Sequence, residues 1–129
     1  MPEIVNPPGW AKPVGYNNGM KAGGTILAIA GQVGWDSQCK LVSDDFVRQF
    51  AQALQNVVDV AKAAGGNAEN IIRLQILVGS KDEYNASVKA LGPEYKRIMG
   101  KHFPAMTCVQ VAGFVEAGAK VEIEGLAVL

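Results

Sequence analysis

The chain has 129 residues, with 12 Lys+Arg against 12 Asp+Glu and 49% apolar side chains. This suits one domain, residues 1–129, while an even charge balance with no basic run longer than Lys96-Arg97 excludes the footprint of a nucleic-acid backbone binder. Two distant cysteines, Cys39 and Cys108, and one histidine, His102, exclude a zinc site of the usual ligands; the lone thiols, the absence of a secretory start in MPEIVNPPGW and the lack of an apolar run of about 18 residues lead to the expectation of a cytoplasmic protein without membrane contact.

Residues 1–15 read as an irregular lead-in, because Pro2, Pro7, Pro8 and Pro13 withhold backbone donors. The segment 15–21 suits an edge strand or a loop. TILAIAGQV, residues 25–33, is a short apolar run after Gly23-Gly24 and predicts a strand buried on both faces. Residues 34–42 loop outward. Ser43 is an N-cap candidate, with Asp44 and Asp45 in the positive first turn of a helix. Phe46, Phe50, Leu54, Val57, Ala61 and Ala64 form its buried stripe, and Gly65-Gly66 ends it.

Residues 71–78 alternate as a strand, with Ile72, Leu74, Ile76 and Val78 on one face and Ile71, Arg73, Gln75 and Leu77 on the other. Ser80 and Glu83 have capping-box spacing and open a second helix with Tyr84, Val88, Leu91, Tyr95 and Ile98 inward. Gly92-Pro93 predicts a kink or a break, and Gly100 closes the segment. Strands over 105–112 and 120–128 follow. The order gives an α+β two-layer fold with both helices on one side of a sheet.

The stretch FPAMTCVQVA, residues 103–112, places Ala105, Thr107, Val109 and Val111 on one face and Met106, Cys108 and Gln110 on the other. The apolar set, with Val121, Ile123 and Gly125, is expected beneath the helices. Met106, Cys108 and Gln110 would then share the uncovered side with Arg73, Glu122 and Glu124. That mixed face suits a second copy of the chain packed against it. Arg73 with Glu122 or Glu124 reads either as an interfacial ion pair or as part of a cleft in which a carboxylate acts as an acid or activates water.

GYNNGM, ILAIAGQVGWD, QALQNVVDVAKAAGG, NIIRLQILV, FPAMTCVQVA and VEIEGLAV, in this order, resemble the YjgF-type or Rid (reactive intermediate deaminase) family, also called L-PSP endoribonuclease-like. The resemblance implies a chorismate-mutase-like fold and a homotrimer with clefts between subunits. It also implies cofactor-independent hydrolysis of reactive enamine or imine metabolites. By resemblance Glu122 is the catalytic carboxylate, and Tyr16, Gly31 and Cys108 line the cleft. Met106 stands where the family has an arginine that grips the substrate carboxylate. A thioether offers no charge-assisted pair of hydrogen bonds, which implies an altered substrate. The competing readings are a trimeric small-molecule binder without turnover and, further off, an endoribonuclease or translation inhibitor, against which the neutral charge speaks.

Overall fold

The computed structural model describes residues 2–129. Its elements are β1 (Glu3–Val5), β2 (Gly19–Lys21), β3 (Ile26–Gln32), α1 (Phe46–Ala63), a 3-10 turn (Ala68–Asn70), β4 (Ile71–Val78), α2 (Lys81–Met99), β5 (Ala105–Gln110) and β6 (Val121–Val128). The main sheet has the order β3-β6-β4-β5 and is mixed: β5 runs parallel to β4, and the other neighbours are antiparallel. Both helices pack on one face around a core that includes Leu54, Val57, Leu74, Ile76, Leu91 and Ile123. Neither helix is long and apolar enough to cross a membrane.

The lead-in is not wholly irregular. β1 pairs antiparallel with β2, matching Glu3 to Lys21 and Val5 to Gly19. Its prolines flank the three paired residues instead of interrupting them. β3 is likewise not buried on both faces within one chain: Ile29 is buried, while Ile26, Ala28 and Ala30 are exposed.

α1 starts later than its sequence signals suggest. Asp45 is the N-cap and accepts from the Arg48 amide at 3.0 Å, while Ser43 Oγ accepts from the Asp45 amide, also at 3.0 Å. The amphipathic stripe holds from Phe46 to Ala61, and Ala64 lies exposed beyond the last turn. Gly125 on β6 lets α1 approach closely, since a Cβ there would meet Val57 at 3.2 Å.

α2 is capped by Ser80, whose Oγ accepts from the Glu83 amide at 3.1 Å. Glu83 turns its carboxylate to Lys120 at 3.8 Å. The helix runs through Pro93 without a break. Lys89, Gly92 and Pro93 are all exposed, so water can serve the carbonyl that the proline leaves without a donor. Only Leu91 and Met99 of α2 are fully buried; Tyr84, Tyr95 and Ile98 are half-buried and Val88 is exposed.

β4 carries a bulge between Ile71 and Arg73. The extra residue turns Ile71, not Ile72, into the core.

Candidate functional site

The phase of β5 decides which side chains meet. Its parallel register places Leu74 beside Met106, Ile76 beside Cys108 and Val78 beside Gln110. Laterally paired residues point to the same side of a sheet. Leu74, Ile76 and Val78 are buried under the helices, so Met106, Cys108 and Gln110 face the helices too.

The contacts agree. Met106 packs on the core, Cys108 meets the Tyr84 hydroxyl, and Gln110 Oε1 accepts from the Lys81 amide at 2.8 Å. The expectation that these three share the uncovered face with Glu122 is therefore corrected. The N-terminal half of α2 supplies a hydroxyl and a free amide, so Cys108 and Gln110 find partners on the helix side although both remain exposed at the sheet edge, and Thr107 and Val109 turn outward.

Glu122 does lie on the uncovered face, paired with Leu77, and Glu124 is paired with Gln75. Arg73 shares that face, opposite Ala105 and Leu126. Among the described residues no ion pair joins it to either glutamate. The β3–β6 ladder shifts register between Ile29 and Gln32. Gly31 sits in this irregularity and lies against the Glu122 carboxylate: a Cβ on Gly31 would overlap Oε2. Glycine is what allows the carboxylate this seat beside the backbone.

Tyr16 is exposed in the loop before β2. Its neighbour Asn17 anchors that loop to the start of β5: the amide donates to the Pro104 carbonyl at 3.2 Å and Nδ2 to the Phe103 carbonyl at 2.6 Å. Tyr16 thus stands at the Met106 end of the sheet edge, not beside Glu122 within the same chain. Of the five site residues expected from the sequence, Gly31 and Glu122 touch, Met106 and Cys108 share the helix-facing side of β5, and Tyr16 lies in the loop anchored at the start of that strand.

Met106 lines a cleft of about 420 Å³ between α2 and β5. Tyr84, Val88, Tyr95, Phe103 and Phe50 form apolar walls, and Lys96 and Lys101 are its cations. Tyr95 and Phe103 stack with ring centroids 5.0 Å apart and 7° between planes. The Tyr95 hydroxyl donates to the His102 carbonyl at 2.7 Å, and burial holds its pKa well above the usual phenol value. Burial also pushes up the Cys108 thiol, partly offset by the Tyr84 hydrogen bond. A thiol so placed is mostly protonated near neutrality and is a poor nucleophile. In sequence, the α2 aromatics read only as a core stripe; nothing in their spacing shows that the cleft leaves them half-covered.

A family model described as Endoribonuclease L-PSP matches residues 10–129. A protein of Homo sapiens named 2-iminobutanoate/2-iminopropanoate deaminase is 32% identical over 103 residues, covering 79% of this chain and 72% of that protein. The crystal structure of YyfB from Yersinia pestis, described as a conserved Rid-family protein of unknown function, matches with a TM-score of 0.85 at 28% identity, over 99% of this chain and 98% of that one. TdcF of E. coli, solved with bound serine, matches with a TM-score of 0.71 at 25% identity, over 98% of both chains.

Proposed function

The chain belongs to the Endoribonuclease L-PSP family, the YjgF/Rid proteins, and on that basis we propose that it hydrolyses small reactive enamines or imines, with Met106 altering the substrate choice. The observation that carries this reading is the seat of Glu122 against Gly31. It fixes a carboxylate beside open backbone, where a substrate and a water molecule can approach. Glu122 takes a proton from water as the water oxygen bonds to the imine carbon. That proton passes to the nitrogen to give a carbinolamine; the hydroxyl proton of this adduct then moves by way of Glu122 to the nitrogen as the C–N bond breaks, and ammonia leaves as the C=O bond forms. Imine and water in, carbonyl compound and ammonia out, balances without a metal or cofactor.

Glu122 and Met106 lie on opposite faces of one sheet, so one chain cannot enclose a substrate with both. The reading therefore requires a cleft shared between copies, with the uncovered face of one chain set against the β5 edge of another, as in a homotrimer. The partners are then small metabolites and the chain itself, not nucleic acid.

The test generates imines in situ from an amino-acid panel and follows ammonia release. Accelerated release that is lost in Glu122→Gln, with the oligomer intact by sedimentation, is the expected result. Equal rates for the two proteins would reject the reading. Met106 favours one alternative, a binder that has lost turnover along with the arginine. That alternative predicts saturable ligand binding with no ammonia above the uncatalysed rate.

A further inference from the structure

We propose that the cleft between α2 and β5 selects substrates that join a bulky planar apolar side chain to a single carboxylate, and that Lys96 and Lys101 hold the carboxylate. The substrate class is thus the aromatic 2-imino acids. This rests on the deaminase reading and adds to it the identity of the group that the site accepts.

Size points first. The cleft measures about 420 Å³, within the range of small-molecule sites, and a methyl or ethyl side chain would leave most of it empty. Shape points the same way. The stacked rings of Tyr95 and Phe103 form a flat slab on one wall, and the Met106 thioether is a soft, adaptable contact for a further ring.

The available polar groups then fix the sign of the ligand. The Tyr95 hydroxyl is committed to the His102 carbonyl, and the Tyr84 hydroxyl to Cys108. No carboxylate lines the cleft. Lys96 and Lys101 are exposed, and neither takes part in an ion pair among the described residues. Two uncommitted ammonium groups beside an apolar cavity call for an organic anion. They also supply, from α2 and the turn after it, the charge that Met106 does not.

The test titrates the full chain with phenylpyruvate, the product of an aromatic 2-imino acid and a stable keto analogue of that substrate, and with pyruvate, by calorimetry. Phenylpyruvate is expected to bind at least about tenfold more tightly than pyruvate. The Lys96→Ala/Lys101→Ala double variant, altered only at exposed positions, is expected to weaken phenylpyruvate binding about tenfold and to flatten its salt dependence. Val88→Trp, at an exposed position on the cleft wall, is expected to block it. Equal affinity for the two acids, or binding indifferent to both variants, would overturn the proposal. Glu122→Gln separates the two readings, because it should stop ammonia release while phenylpyruvate still binds. Phenylpyruvate binding without turnover in the unmodified protein defeats the deaminase and keeps the pocket; turnover of small imines without phenylpyruvate binding defeats the pocket alone.

Discussion

Gly31 and Glu122 touch across the β3–β6 register shift, and a methyl group on Gly31 would occupy the place of the Glu122 carboxylate oxygen. Gly31→Ala is therefore expected to displace that carboxylate without unfolding the sheet. Misplacing a reacting group by about 1 Å can cost roughly 100-fold in rate. The variant should lose about 10- to 100-fold in ammonia release while its thermal midpoint changes little. A full rate in Gly31→Ala would separate the carboxylate's seat from any chemistry.

Met106→Arg tests what the thioether has replaced. A guanidinium at 106 would enter a cleft that already holds Lys96 and Lys101 and could pair with a carboxylate through two hydrogen bonds. Pyruvate affinity is expected to rise about tenfold or more by calorimetry. Phenylpyruvate affinity should fall, because the ring loses its apolar contact. Unchanged affinities for both acids would place residue 106 outside the binding surface.

The phases of these strands were unequally legible. Leu74 and Ile76 on β4 alternate with Arg73 and Gln75, and Val121 and Ile123 on β6 alternate with Glu122 and Glu124, so alternation assigns their faces correctly. On β5 the two sets are Ala105, Thr107 and Val109 against Met106, Cys108 and Gln110. Each mixes small, apolar and weakly polar groups, and each can be buried or exposed at similar cost. Register with β4 decides between them, and register is a tertiary property. The bulge that turns Ile71 inward is hidden for the same reason. Within one chain a shared face does not by itself join Arg73 to Glu122 or Glu124, so the interfacial pair read from the sequence would have to form between copies.

Gln49 had no distinguishing signal in the sequence, yet it is fully buried in α1 and makes three bonds to main chain. Its Nε2 donates to the Ser43 carbonyl at 2.9 Å and to the Gly118 carbonyl at 3.0 Å, and its Oε1 accepts from the Lys120 amide at 2.8 Å. These bonds tie the start of α1 to the turn before β6. Gln49→Leu keeps the volume but leaves those groups without partners. A loss of roughly 2–4 kcal/mol is expected, or about 10 °C in the thermal midpoint. Denaturant titration would measure it directly, and a change within about 0.5 kcal/mol would show that other groups or water serve those partners.

The Tyr95 hydroxyl gives the fold a defined weakness at high pH. Burial raises its pKa above the ordinary phenol value, so the folded chain holds this proton where the unfolded chain releases it. An unfolded tyrosine ionises near pH 10 by ordinary reference values. Below that pH both states carry the proton and stability is unaffected. Above it the unfolded state binds fewer protons, so stability falls as pH rises towards the folded pKa. Tyr84 and Cys108, both raised by burial, act in the same sense, with the thiol beginning to contribute near its lower unfolded value. Tyr95→Phe is expected to lose about 1 kcal/mol at neutral pH with the bond to the His102 carbonyl, and to show a shallower decline above about pH 10. Parallel stability curves for the two proteins from pH 7 to 11 would show that the hydroxyl reaches water before the chain unfolds.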